Sequence, residues 1–166
     1  MGDRKYDSMV GMVHRCLLVM VLACAPPAFE VAPAAATRAV PEFSQYPAPD
    51  RFSGDIAKID FSSDPNARTF RTRLSRGIRK GPNFAGVYRV VSWGCGTNCS
   101  QMAIVNVETG RVCDWAWSCG SSDFELQSTL LIINPTAADD DRRYPPECDT
   151  QYYRLINEKL ESIGVK

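Results

Sequence analysis

The stretch Q-M-A-I-V-N-V-E-T-G-R-V-C-D-W-A-W-S, residues 101–118, decides the fold class. Two runs of β-forming residues flank a short polar segment with glycine near its end, the signature of a β-hairpin. A two-residue loop, Thr109 and Gly110, would pair Val105 with Asp114 and turn Trp115 and Trp117 away from the aliphatic face. A three-residue loop, Glu108 to Gly110, pairs Val107 with Arg111 instead. It then sets Cys113, Trp115 and Trp117 on the side of Ala103, Val105 and Val107. Extended to its open end, this register places Cys99 opposite Cys119 and predicts a cross-strand disulfide between them.

Working outward, Val87 to Val91 are mostly β-formers leading to Trp93, and Gly94 and Gly96 break the run. Upstream, Ile56, Ile59 and Phe61 predict a short strand. Asp64 followed by Pro65 predicts a helix start, with a capping carboxylate and a proline at the first helical position. Phe70, Leu74 and Ile78 then recur on one helical face, and Gly81 with Pro82 ends the pattern. Downstream, the apolar run Leu130 to Ile133 predicts a buried strand ended by Asn134 and Pro135. Residues 134–149 read as a polar loop. Tyr152 to Ile156 and Leu160 to Ile163 fit either a helical stripe or a hairpin turning at Asn157 to Lys159. The fold class expected is α+β, an antiparallel β meander with one N-terminal helix packed on it.

The chain divides into three parts. Residues 1–36 read as a signal peptide: Arg4, Lys5 and Arg15 precede an apolar run from Cys16 to Ala25, and Ala34 to Ala36 offer small side chains for cleavage. Pro26 and Pro27 stop the run short of the roughly 20 apolar residues a membrane span needs. Val21 to Cys24 also fit a lipobox, which would make Cys24 a lipid anchor. Residues 37–53 carry Pro41, Pro47 and Pro49 and read as a spacer. Residues 54–166 are expected to form a single disulfide-stabilised β-rich domain, periplasmic or secreted, or membrane-anchored if Cys24 is acylated.

Composition narrows the chemistry. The 19 Lys plus Arg balance 19 Asp plus Glu, so the whole chain lacks the basic excess of a nucleic-acid binder. The single histidine, His14, falls in the export segment. Beyond residue 36, histidine-dependent triads and H-E-x-x-H zinc sites are therefore excluded. Arg68, Arg71, Arg73, Arg76, Arg79 and Lys80 read as the solvated face of a half-buried helix. Asp139 to Asp141 lack the alternating ligand spacing of a helix-loop-helix calcium site and read as a solvated acidic turn.

Five cysteines follow residue 36: Cys95, Cys99, Cys113, Cys119 and Cys148. Their odd number leaves at least one free or paired between chains. Cys95 has Cys113 or Cys148 as partners if Cys99 takes Cys119, and a Cys95–Cys99 bridge is the main competitor. An oxidising compartment favours cross-links over a four-thiolate zinc site, so no metal or cofactor is expected.

Four motifs together resemble a family of small exported bacterial proteins of unassigned function: G-P-N-F-A-G-V-Y (81–88), W-G-C-G-T-N-C (93–99), A-I-V-N-V-E-T-G (103–110) and C-x3-Y-Y (148–153). The resemblance covers roughly residues 54–163. It implies export, a β-rich domain and strands at the C-terminus.

Two functional classes follow. In the first, an exported non-enzymatic module binds or inhibits a cell-envelope protein or wall hydrolase. Trp93, Gly94, Gly96, Thr97 and Asn98 are its candidate contact residues, on a rigid loop that loses little entropy on binding. Trp115 and Trp117 are expected in the core, which leaves Trp93 as the surface tryptophan. In the second, a carboxylate-dependent glycoside hydrolase acts on an envelope polysaccharide with Asp114, Asp123 and Glu125 as candidates.

Overall fold

The computed structural model describes residues 40–49, 51–135 and 148–164. The segment read as a signal peptide, with Cys24 and His14, and Asp139 to Asp141 lie outside them. The described residues form a single-turn 3-10 helix (Phe43–Gln45), one short α-helix, α1 (Arg71–Ile78), and seven strands: β1 (Tyr88–Gly96), β2 (Cys99–Asn106), β3 (Val112–Ser118), β4 (Ser122–Phe124), β5 (Leu130–Ile133), β6 (Gln151–Ile156) and β7 (Lys159–Ser162). The class is α+β with antiparallel strands, but they make two sheets, β1-β2-β3 and β4-β5-β6-β7, in place of one meander.

The reason lies in β2. Ala103 and Val105 join one core cluster with Val91, Trp93 and the helix residues Leu74 and Ile78. Met102 and Ile104 join a second cluster with Leu131, Ile133 and Leu155 of the other sheet. Alternate side chains leave a strand on opposite faces, so an unbroken apolar run serves two layers. The helix covers one face of β1-β2-β3 and the second sheet covers the other. The G-P-N-F-A-G segment joins the layers: the Asn83 side chain accepts from Val90 N at 2.8 Å, Gly86 N donates to Leu126 O at 2.7 Å, and Phe84 is fully buried.

Phe70, Leu74 and Ile78 pack inward as their spacing predicts, and all six cations from Arg68 to Lys80 are exposed. The helix itself begins late, at Arg71. Asp64 Oδ1 accepts from Asn66 N at 2.8 Å, and the bonds that follow, such as Thr69 N to Asn66 O, span three residues. The Asp-Pro signature thus starts a run of turns instead of the α-helix. Ile56 to Phe61 form no strand; beyond one bridge, Asp60 to Arg111, the segment is held by Ala57 N donating to Val107 O and Asp60 N to Gly110 O, each at 2.9 Å, with Ile59 in the core. Residues of the proline-bearing stretch are tied to the second sheet: Ala48 N donates to Gln127 O and Thr129 N to Tyr46 O, each at 2.8 Å. At the C-terminus the structure resolves the ambiguity toward a hairpin, with Ile156 opposite Lys159.

The central register is the expected one through most of its length, Ser100 to Ser118, Ala103 to Trp115 and Ile104 to Asp114. A bulge then intervenes, and Val105 pairs with Val112. Cys113 is the extra residue, so Val112 takes the helix-side place expected for Cys113. The turn closes through Asn106 N to Arg111 O and Gly110 N to Asn106 O, each 2.9 Å, not through a Val107–Arg111 pair.

Candidate functional site

One end of β1-β2-β3 carries most of the predicted contact residues. Gly94 pairs with Ser100 and Gly96 with Cys99, and the mismatch leaves Cys95 as a bulge. Thr97 and Asn98 form the tip, with Asn98 at φ +51°, a conformation asparagine tolerates better than most residues. The bulge brings Cys95 within 5.1 Å of Cys99 (Cα to Cα), and these two form a disulfide. Cys119 bonds to Cys148. The expected Cys99–Cys119 bridge is therefore absent: the strands do reach the Ser100–Ser118 pair, but the bulge presents a nearer partner on the β1 side. Cys113 is the free thiol among these five.

The tryptophans exchange roles relative to expectation. Trp93 is 9% exposed and stacks on Phe70 at 4.7 Å between ring centroids. Trp115 meets it edge-on at 6.1 Å, and the Arg73 guanidinium lies 5.6 Å from the Trp93 ring centroid. Trp117, on the same face as Trp115 but farther along β3, is 51% exposed. Gln101 pairs with both Trp93 and Trp117, so one row crosses the sheet from the buried indole to the exposed one. Gly94 to Asn98 are all exposed. The surface at this end thus combines a cysteine-closed tip with Trp117, while Trp93 supports it from beneath.

The second bridge anchors the same end. Cys119 N donates to Asn134 Oδ1 at 2.7 Å, and Thr150 Oγ1 donates to Asn134 O at 2.7 Å. The chain leaving Trp117 is therefore fixed on both sides.

The proposed carboxylates are not brought together as a catalytic set. Asp114 Oδ2 accepts from Leu160 N at 2.8 Å, its Oδ1 accepts from Trp115 N at 3.0 Å, and Lys159 Nζ lies 3.8 Å away. It ties β3 to β7 instead of standing accessible. Asp123 sits on β4 in the other sheet, and Glu125 follows it on the exposed surface. Among the described residues no three His, Cys, Asp or Glu side chains gather as a metal site.

Cys113 is enclosed. Burial first, then the charge of Glu158, pushes its thiol from 9.0 up to about 11. Burial likewise pushes Tyr88 up to about 12. A thiol so disfavoured as thiolate is a poor nucleophile, which assigns Cys113 to packing.

Sequence reasoning missed Trp117 and Arg73. Compared with protein-family models, with curated proteins and with solved structures, the chain matches none of them.

Proposed function

We propose that the chain is an exported, non-enzymatic binding module that engages a cell-envelope protein, a wall hydrolase among the candidates, through the tip at Gly94 to Asn98 and the neighbouring Trp117. The observation that carries this reading is the cysteine-closed, exposed tip beside a half-exposed tryptophan. Tryptophan is enriched among residues that dominate interface energies, and a covalently closed loop has less freedom to lose on binding. Two bridges at one end of a sheet also fit an oxidising compartment, and the basic-apolar N-terminus points the same way.

The test is capture from envelope extract with oxidised protein, followed by titration of the purified partner against Trp117→Ala and Asn98→Asp. Each substitution is expected to weaken binding by about tenfold or more without moving the melting temperature. A partner that binds both variants as tightly as the parent would remove the tip from the account. Wall hydrolysis by the protein alone, lost in Asp114→Asn but retained in a stability-matched control, would favour the hydrolase instead.

A further inference from the structure

The exposed segment at residues 51–56 and the end of α1 enclose a groove of about 480 Å³, lined on its polar side by Arg51, Arg79 and Lys80 and on its apolar side by Phe52, Ile56 and Pro82. We propose that this groove binds a phosphate monoester carrying an apolar or aromatic group.

The groove is built by residues from two segments. Phe52 N donates to Gly86 O at 3.1 Å, which fixes the first segment, and Gly81 N donates to Ile78 O, which ends the helix. Gly81 adopts φ +76°, turning the chain into Pro82. A fourth cation lies behind this wall: Arg89 Nη1 donates to Gly81 O at 3.1 Å, and its enclosed Nε has no partner among the described residues.

Charge selects the ligand class. Arg51, Arg79 and Lys80 are exposed and have no carboxylate partner among the described residues. From residue 65 to residue 107 the sequence contains Arg68, Arg71, Arg73, Arg76, Arg79, Lys80 and Arg89 and not one Asp or Glu. The neutral total therefore conceals a strongly one-sided region. The helix dipole accounts for cations near the C-terminus of α1, but Arg51 arrives from a separate stretch of chain. A carboxylate would need a single cation, whereas a phosphate monoester carries roughly −1.5 to −2 charges at neutral pH and offers three acceptor oxygens. Arginine forks match those oxygens in pairs. Ile56 is 38% exposed and, with Phe52 and Pro82, gives the groove an apolar wall that a ring could cover.

Calorimetric titration of the full oxidised chain with phenyl phosphate and with inorganic phosphate tests the site. Phenyl phosphate is expected to bind about fivefold or more tighter than inorganic phosphate, because its ring covers Ile56 and Phe52. Arg51→Gln with Arg79→Gln should weaken phenyl phosphate by about tenfold or more, and Ile56→Ser should erase the preference for the phenyl ester. Arg68→Gln with Arg71→Gln removes the same charge at the opposite end of the helix segment and should change binding by less than about twofold. An equal loss in this second pair, or no saturable binding of either phosphate, overturns the proposal. Displacement of phenyl phosphate by vesicles containing phosphatidic acid in phosphatidylcholine assigns the monoester to a lipid; retention of phenyl phosphate assigns it to a soluble molecule. Because these residues lie apart from the tip, Trp117→Ala should leave phosphate binding unchanged, so the two proposals fail separately.

Discussion

The three-stranded sheet carries glycine-bearing turns at both ends, and the two ends are held by different means. At the Asn106–Arg111 end, Gly110 adopts φ +76°, and a Cβ built there would land on the Lys58 carbonyl oxygen. The turn is clamped by the chain that passes over it, with Asp60 N donating to Gly110 O at 2.9 Å. At the other end, a Cβ on Gly94 or Gly96 would meet nothing within 4 Å among the described residues. A covalent bridge sets the shape of that tip instead. Packing thus explains one turn completely, while the other combines open space with a fixed conformation, the combination a contact surface requires.

The two disulfides sharpen this contrast and give the largest expected effects. Cys119 and Cys148 are 29 residues apart, and by loop-closure entropy their replacement by serine should lower unfolding stability by about 3 to 4 kcal/mol. Cys95 and Cys99 are 4 apart, and the same relation gives about 2 kcal/mol. Urea titration of both double-serine variants checks the order, and a larger loss at Cys95–Cys99 would mean that the tip is part of the architecture after all.

Between the two bridges in size, Gly110→Ala should destabilise by about 2 to 3 kcal/mol, since the new methyl meets a backbone carbonyl and the left-handed conformation disfavours any Cβ. Thermal unfolding measures it. Comparable in size is the alkaline behaviour of the clamped end. With the Cys113 thiol raised to about 11 in the folded state, its stabilising effect is complete below pH 9 and lost as pH climbs from 9 toward 11. Cys113→Ala should flatten that part of the stability profile, and an unchanged slope would shift the cause to Tyr88. Least of all, Gly94→Ala should alter stability by less than about 0.5 kcal/mol while still impairing partner binding.

How much of this was legible in the sequence can be argued residue by residue. The hairpin, its open-end register, the inward face Phe70-Leu74-Ile78 and the strand at Leu130–Ile133 follow from periodicity, because each buries a face the pattern displays. The second sheet was hidden although its trace was present. Met102 and Ile104 are as apolar as Ala103 and Val105, and counting both faces of that strand would have called for a second covering layer. The helix start was misread because an Asp-Pro pair serves turns as well as helices. The disulfides were misassigned because one bulged residue in β1 changes which thiols are neighbours, and local strand pattern does not announce a bulge. The same limit applies to Trp93 and Trp117. Their exposure depends on what lies over the sheet, Phe70 at the start of α1 covering Trp93, a tertiary fact.

The central claim is that oxidation fixes the open tip. Protein recovered from its native location is alkylated before and after denaturation, and its bridges are mapped by mass spectrometry. The account predicts a Cys95–Cys99 link, a Cys119–Cys148 link, and Cys113 labelled only once the chain is unfolded. Labelling of Cys95 and Cys99 in the folded protein would contradict it.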